Sequence, residues 1–199
     1  MIDNIVFDLG NVLLDFTPEN IINDYVFDDS KREEIYDNIF NSEEWIMLDR
    51  GTISKKEAIS KFIDRQPKNK KEILTIMNNW ISYLKPINQN ILVLKELYKK
   101  NINLYILSNF HKEAFLKVKS KYRFFDYFNG NVISYQVKTI KPEDKIYKLL
   151  LSKYNLDSQN TLFIDDSLKN IESAQKLNFK TIHFKDDVNL EGEVNKYLY

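Results

Sequence analysis

The stretch that decides the fold is residues 3–16, which read DNIVFDLGNVLLDF. Residues 5–7 form a short apolar run that ends at Asp8 and is followed by Gly10 and Asn11. An apolar run of this length, rich in β-branched and aromatic residues, predicts a buried strand that leads into a turn. In an open α/β sheet, the ends of the strands form the floor of the ligand crevice. Asp8 is therefore the first candidate catalytic residue, and the alternative is an aspartate that merely caps the turn.

The composition limits the classes of protein and of site. The chain has 199 residues, enough for one domain or for a core domain with a smaller insert. Its 29 Lys and Arg residues balance 29 Asp and Glu residues, so we expect neither a nucleic-acid nor a membrane partner. Cysteine is absent, which excludes disulfides, thiolate metal sites and a cysteine nucleophile. No signal-peptide pattern follows Met1, so we expect a cytoplasmic protein; the oligomeric state is not indicated.

Residues 17–84 carry helical patterns only. Two capping-box patterns mark helix N-termini there, at Ser30 with Glu33 and at Ser54 with Glu57. About four helices without a strand are more than the single helix that a βαβ crossover needs. This segment is therefore predicted to be an inserted, all-helical cap domain. Trp45 and Trp80 are expected to pack between its helices.

After Pro86 the pattern changes to alternating helices and strands. The predicted strands are residues 104–107, 131–134, 161–164 and 181–184. Alternation of this kind predicts a parallel sheet with helices on both faces. The fold class is therefore α/β, with a Rossmann-like core of residues 1–16 and 85–199 around the helical insert.

Polar side chains follow successive strands of the predicted sheet. They are Asp8 after the first strand, Ser108 and Asn109 after the second, Lys141 beyond the third, and Asp165 and Asp166 after the fourth. Because the ends of parallel strands point the same way, these side chains can converge on one crevice. Carboxylates suit a hard cation such as Mg²⁺, and the cation and Lys141 would together hold a phosphate to which Ser108 donates. Attack by one carboxylate would give an aspartyl-phosphate intermediate.

Four segments carry a resemblance to a known family. FDLGNV, YILSN, KPE and FIDDS, in this order and spacing, resemble the four motifs of the haloacid dehalogenase (HAD) superfamily. The resemblance covers essentially the whole chain. It is nearest to subfamily I with a type-1 helical cap, in particular to phosphatases of the bacterial α-D-glucose-1-phosphate type and to the N-terminal phosphatase domain of soluble epoxide hydrolase. It implies the strand order 5-4-1-2-3.

The resemblance also implies a role for each motif residue. Asp8 would be the nucleophile, Lys141 would hold the nucleophile and the phosphate, and Ser108 and Asn109 would bind phosphate. Asp165 would bind Mg²⁺ together with Asp8 and the main-chain carbonyl of Gly10, and Asp166 would support that site. The implied function is Mg²⁺-dependent hydrolysis of a small phosphorylated metabolite through an aspartyl phosphate.

Gly10 departs from the usual pattern. Most HAD phosphatases have a second aspartate at this place, which serves as the general acid and base. Its loss would cost roughly 10²–10⁴ in rate if no other group replaced it. The glycine therefore favours a substrate whose leaving oxygen is already acidic, such as a sugar 1-phosphate. His111 is a candidate for a substitute proton donor.

Two alternatives remain open. A 2-haloacid dehalogenase also lacks the second aspartate, and Tyr147 matches a dehalogenase feature. That family needs no metal, however, and the arginine that holds the halide has no match, because Arg32 and Arg50 lie in the wrong context. The other alternative is a catalytically weak, phosphate-binding or regulatory protein. The adjacent acidic residues Asp165 and Asp166 favour Mg²⁺ and phosphate.

Overall fold

A five-stranded parallel sheet forms the centre of the computed structural model, which describes residues 2–185 and 187–198. The strands of the described residues, numbered along the chain, are β1 (Asn4–Phe7), β2 (Leu14–Asp15), β3 (Lys85–Pro86), β4 (Asn103–Ser108), β5 (Gly130–Ile133), β6 (Thr161–Asp165) and β7 (Lys180–His183). The strands β2 and β3 form a separate ribbon, and the other five form the central sheet. The sheet has the order β5-β4-β1-β6-β7. Counted along the chain, its strands run 3-2-1-4-5, which is 5-4-1-2-3 from the opposite edge. The predicted fold class and strand order are thus confirmed.

The position of β1 explains its composition. It pairs with β4 on one side and with β6 on the other, so Phe7 lies opposite both Ile106 and Ile164. All four of its residues are buried, because helices cover both faces of the sheet. A strand of this kind reads as a continuous apolar run, and Asp8 is the residue at which the run ends.

The helices fall into two groups. Residues between β2 and β3 form α1 (Pro18–Tyr25), α2 (Asp29–Ile39), α3 (Glu43–Arg50), α4 (Lys55–Arg65) and α5 (Lys70–Asn79). The remaining helices are α6 (Asn88–Lys99), α7 (Lys112–Lys121), α8 (Ser134–Val137), α9 (Asp144–Tyr154), α10 (Leu168–Lys176) and α11 (Leu190–Leu198). Short 3₁₀ turns occur at Pro67–Asn69, Trp80–Tyr83, Arg123–Tyr127 and Ser158–Asn160. No helix of the described residues is both long enough and apolar enough to cross a bilayer.

One of the two predicted capping boxes is present. Ser54 and Glu57 cap α4 reciprocally. The prediction at Ser30 and Glu33 is wrong, because α2 begins earlier and is capped by Asp28, whose carboxylate accepts from the Ser30 N–H at 3.1 Å. Aspartate and serine cap about equally well, so only the path of the chain decides between them.

A short antiparallel ribbon closes the helical insert. Leu14 pairs with Pro86, and Asp15 pairs with Lys85, so the chain enters and leaves the insert through paired strands. One hydrophobic cluster runs from the insert helices to the sheet and includes Ile35, Phe62 and Phe7. The division into a core and a cap domain of residues 17–84 stays a prediction.

Candidate active site

The predicted site residues gather at the carboxyl edge of the sheet. Asp8 directly follows β1, and Ser108 and Asp165 are the last residues of β4 and β6. Because β1 lies between β4 and β6, Asp8 is flanked by both neighbours. Lys141 comes from the segment between α8 and α9 and reaches the same edge.

Lys141 joins the two carboxylates of this edge. Its Nζ donates to Asp165 Oδ2 at 2.5 Å and lies 2.8 Å from Asp8 Oδ1. The lysine is almost completely buried. Burial disfavours its charge, but Asp165 and Asp8 outweigh this effect and raise the pKa of Lys141 above its usual range. Lys141 is therefore a fixed ammonium group inside the site.

The carboxylates outnumber the ammonium group. Oxygen atoms of Asp8, Asp165 and Asp166 all lie within 4.8 Å of one another. Burial, and then the neighbouring carboxylates, raise the pKa of Asp8 against the opposing effect of Lys141. Burial also raises the pKa of Asp166. A cluster of oxygen ligands with excess negative charge fits a hard cation, so Mg²⁺ suits the residues present.

Neighbouring groups orient the carboxylates of Asp165 and Asp166. Asp165 Oδ1 accepts from the Ser167 N–H and from Asn170 Nδ2, both at 2.9 Å. Asp166 Oδ2 accepts from Asn11 Nδ2 at 3.1 Å. Such second contacts hold ligand carboxylates in one orientation.

Ser108 and Asn109 differ in whether their side chains already have hydrogen-bond partners. Ser108 Oγ is buried and has no hydrogen-bond partner among the described residues. A buried hydroxyl group without a hydrogen-bond partner is energetically costly unless a bound ligand supplies that partner. The Asn109 side chain is already engaged, since Nδ2 donates to Lys141 O at 2.9 Å and Oδ1 accepts from Lys141 N at 2.8 Å. It positions Lys141, so any phosphate contact by Asn109 would fall to its main-chain N–H.

Gly10 leaves an open space beside the site. A Cβ at this position would meet no heavy atom within 4 Å apart from those of its two chain neighbours. The glycine lines a cavity of about 70 Å³ whose other lining residues are largely aromatic. They are Phe16, Trp45, Asp49, Trp80, Leu84, Asn109, Phe110 and His111.

Asp49 is the acidic residue that the sequence did not reveal. It lies near the end of α3 and lines the same cavity as Gly10. Burial, and then the negative charge of Asp8, raise the pKa of Asp49 to about 8, although Lys141 opposes the shift. No local pattern distinguishes Asp49 from an ordinary polar residue at a helix end. Only the packing of the helical insert against the sheet brings Asp49 to the cavity that Gly10 lines.

His111 lies beside Asp49. Its Nε2 is 3.3 Å from Asp49 Oδ1, although the geometry is not that of a hydrogen bond and Nε2 has no other partner among the described residues. The ring packs against Trp45 and Trp80, with centroid distances of 4.3 and 5.1 Å. Burial lowers the pKa of His111 to about 3. The imidazole is therefore neutral near pH 7 and is a poor proton donor.

Trp45 and Trp80 pack between the insert helices as predicted, but they also face the site. They contact each other at a centroid distance of 5.0 Å, and Trp45 stacks on Phe16 at 6.0 Å. Because both rings also touch His111, which precedes α7, they line the boundary between the insert and the sheet.

Several contacts anchor the end of α3 to α8 and to the segment between α8 and α9. Ser134 Oγ donates to Asp49 O at 2.5 Å. The Arg50 guanidinium forms two hydrogen bonds with the Glu143 carboxylate, at 2.5 and 3.1 Å. The Lys138 ammonium donates to Gly51 O. These contacts hold Asp49 over the crevice, and they engage Arg50 in an ion pair rather than leave it free to hold a halide.

Comparison with known proteins agrees with this arrangement. The model of the haloacid dehalogenase-like hydrolase family matches residues 5–184. The chain belongs to this family. It is a hydrolase of the HAD type, as the four sequence motifs predicted, and its relatives support a phosphatase.

The chain is similar over most of its length to three known proteins. A HAD family enzyme of Bacteroides thetaiotaomicron, solved in complex with magnesium and inorganic phosphate, has a TM-score of 0.73 and is 28% identical, over 97% of this chain and 99% of that one. The sesquiterpene phosphatase astK of Aspergillus oryzae is 24% identical over 92% of this chain and 90% of its own length. L-2-haloacid dehalogenase of Xanthobacter autotrophicus has a TM-score of 0.69 at 16% identity, over 96% of this chain and 80% of that one, which shows a shared fold.

Proposed function

We propose that this HAD-type hydrolase cleaves phosphate monoesters with Mg²⁺, through an aspartyl phosphate formed on Asp8. The observation that carries the proposal is the cluster of three carboxylates around Lys141, at the edge where parallel-sheet proteins bind ligands. The Bacteroides relative, solved with magnesium and phosphate, supports it. A dehalogenase, which needs no metal, would have no use for the excess of negative charge.

The contacts of Asp8 support different roles for its two oxygens. The Leu9 N–H donates to Oδ1 at 2.7 Å, and Lys141 Nζ lies 2.8 Å from the same atom. Oδ1 is therefore held, and Oδ2 is left to attack phosphorus in line with the leaving oxygen. When bound by Asp8, Asp165 and the Gly10 carbonyl, with Asp166 in support, Mg²⁺ would offset the charge of the phosphate. Ser108 Oγ would donate to a phosphate oxygen.

Removal of the metal is expected to abolish hydrolysis. Purified protein treated with EDTA should release no phosphate from p-nitrophenyl phosphate, and added Mg²⁺ should restore the rate. Mg²⁺ should also raise the Tm of the protein, because a cation that binds only the folded state stabilises it. The Asp165→Asn variant should lose both effects, whereas Asp157→Asn, at the cap of the 3₁₀ turn that precedes β6, should retain them.

The outcome separates the alternatives. Hydrolysis that is indifferent to EDTA, or turnover of 2-chloropropionate, would support the dehalogenase. A rise in Tm with Mg²⁺ and phosphate but without turnover would support the phosphate-binding or regulatory protein.

The lining of the site favours a substrate with an apolar alcohol. Phe16, Trp45, Trp80 and Phe110 surround the space in which the leaving group would lie. A neighbouring, mainly apolar cavity of about 390 Å³ shares Trp80 and His111 with it. Aromatic walls bury apolar surface, whereas a sugar requires several polar partners. The relation to a sesquiterpene phosphatase points the same way, so we place an isoprenoid monophosphate ahead of a sugar 1-phosphate.

This preference predicts a difference in kcat/KM. A sesquiterpenoid monophosphate should be hydrolysed at least about 10-fold more efficiently than glucose 1-phosphate or glucose 6-phosphate, since burial of a few methylene groups gives roughly that discrimination. Trp80→Ala should reduce kcat/KM for the terpenoid and leave that for the sugar phosphates little changed. Phe27→Ala is the control, because Phe27 is 88% exposed. A wild-type protein that prefers glucose 1-phosphate would instead support the earlier expectation from Gly10.

A further inference from the structure

A phosphatase that attacks an ordinary alkyl phosphate needs a proton for the leaving oxygen. An alkoxide is a poor leaving group, and a positioned acid typically accelerates such a step by 10²–10⁴. Position 10 cannot supply the proton, because it is glycine. His111 is a poor donor, because burial favours its neutral imidazole. Another group is required if the alcohol is not activated.

Asp49 is the acidic side chain that shares the space beside Gly10. It lines the same cavity as Gly10, and a Cβ at position 10 would meet no heavy atom within 4 Å beyond those of its chain neighbours. The other walls of the cavity are aromatic or aliphatic, apart from Asn109 and His111. The Asn109 side chain is engaged with the Lys141 main chain. Asp49 is thus the carboxyl group that borders the space beside Gly10.

The position of Asp49 is fixed by the fold. Its carbonyl accepts from Ser134 Oγ, and Phe110 N donates to the same hydroxyl at 2.9 Å. Ser134 therefore ties the end of α3 to the segment that follows Ser108. The next residue, Arg50, is held by Glu143 through two hydrogen bonds. A catalytic acid has to be held in place in this way, because proton transfer requires contact within hydrogen-bond distance.

We propose that Asp49, supplied by the helical insert, is the general acid and base that replaces the missing carboxylate at position 10. The inference rests on the proposed phosphatase function. As Asp8 Oδ2 forms its bond to phosphorus, the bond from phosphorus to the leaving oxygen breaks, and the Asp49 proton passes to that oxygen. The products are the free alcohol and the aspartyl phosphate. In the second step, water attacks phosphorus and gives a proton to the Asp49 carboxylate, while the bond between phosphorus and Asp8 Oδ2 breaks. Inorganic phosphate leaves, Asp8 is again a carboxylate and Asp49 is again protonated.

The surroundings of Asp49 support its protonated form. The groups that face it are Asp8 and Lys141 at the sheet edge and His111 before α7. Burial and the Asp8 charge keep the carboxyl group protonated near neutral pH, as a donor requires.

The test uses the dependence of the rate on the leaving group. Wild type, Asp49→Asn and the matched control Asp64→Asn, an exposed residue of α4, are compared with Mg²⁺ on an alkyl phosphate and on 2,4-dinitrophenyl phosphate. Asp49→Asn should slow alkyl phosphate hydrolysis by roughly 10²–10⁴, because the leaving oxygen loses its proton donor. The first step with the dinitrophenyl ester should change less than about 10-fold, since that leaving group needs no proton.

A second readout does not depend on turnover. Without a base for the second step, Asp49→Asn should accumulate the aspartyl phosphate during reaction with the dinitrophenyl ester. Acid quenching and mass spectrometry should then detect one added phosphoryl group. In the double variant Gly10→Asp with Asp49→Asn, alkyl phosphate hydrolysis should return, because the space beside Gly10 is open.

The possible outcomes are distinct. Equal losses on both esters without phosphoenzyme, or an unchanged alkyl phosphatase rate, would overturn the role of Asp49 and leave the phosphatase function standing. Absence of phosphatase activity in the wild type would overturn the phosphatase function itself. If Asp49→Asn does not fold, Asp49→Ser is judged by the same two readouts.

Discussion

Replacement of Asp8 with alanine is expected to abolish phosphate ester hydrolysis while the protein stays folded. Without the carboxylate no aspartyl phosphate forms, and removal of a nucleophile commonly costs roughly 10⁴–10⁶ in kcat. The fold should survive because the β1 main chain, not the Asp8 side chain, pairs with β4 and β6. The measurements are phosphate release from an aryl phosphate with Mg²⁺ and the circular dichroism spectrum.

The matched control lies at the other end of the same strand. Asp3 is exposed and directly precedes β1, so Asp3→Ala should retain the wild-type rate. Quenched reactions should show phosphorylated protein for the wild type and for Asp3→Ala, but none for Asp8→Ala. A folded Asp8→Ala protein that turns over at more than roughly 1% of the wild-type rate would show that another group attacks phosphorus.

The sheet and its edge could be predicted because their signals are local. A central parallel strand is buried on both faces, so β1 and β6 appear as unbroken apolar runs. The first charged residue after each run is then placed at the ligand edge by topology alone. Asp8 and Asp165 were found in this way, and the contacts of Lys141 confirm that the three side chains meet.

The roles of single polar residues were harder to predict because tertiary contacts decide them. The Asn109 amide has the chemistry to bind phosphate, yet it is used by the main chain of Lys141, a residue 32 positions away. A histidine ordinarily titrates near physiological pH, but His111 is buried against Trp45 and Trp80, and burial lowers its pKa to about 3. In both cases the residue type indicates a possible role, but the contacts that decide the role come from residues distant in the sequence.

Asp49 could not be assigned from the sequence for the same reason. It lies in the last turn of an ordinary amphipathic helix, directly before Arg50 and Gly51, where the sequence indicates a helix end. Its relation to Gly10 and His111 exists only in the folded chain, where residues distant in sequence line one cavity. Gly10 requires an acidic leaving group only if no other residue supplies the proton. The proposed role of Asp49 removes this requirement, so the aromatic walls of the cavity become the basis for the proposed substrate.

Lys141→Met is expected to cause both loss of activity and a large loss of stability. Lys141 Nζ is the ammonium group between Asp8 and Asp165, and all three side chains are buried. Removing one partner of a buried ion pair typically costs about 3–5 kcal/mol, because the remaining charge is left unpaired. Methionine fills a similar volume without charge, so the loss would reflect electrostatics rather than a cavity.

The pH dependence of this loss tests its cause. Burial already raises the pKa of Asp8 above its value in the unfolded chain, and loss of the opposing Lys141 charge should raise it further. A carboxyl group whose pKa is higher in the folded state destabilises the fold as pH rises through the interval between the two values. Urea unfolding without metal should therefore show a larger difference between wild type and Lys141→Met at pH 8 than at pH 5, and Mg²⁺ should restore part of it. Lys148→Met is the control, since Lys148 and its partner Asp144 are exposed, and such pairs contribute about 0–1 kcal/mol. A Lys141→Met protein as stable as the wild type at pH 8 would mean that the carboxylates do not depend on this ammonium group.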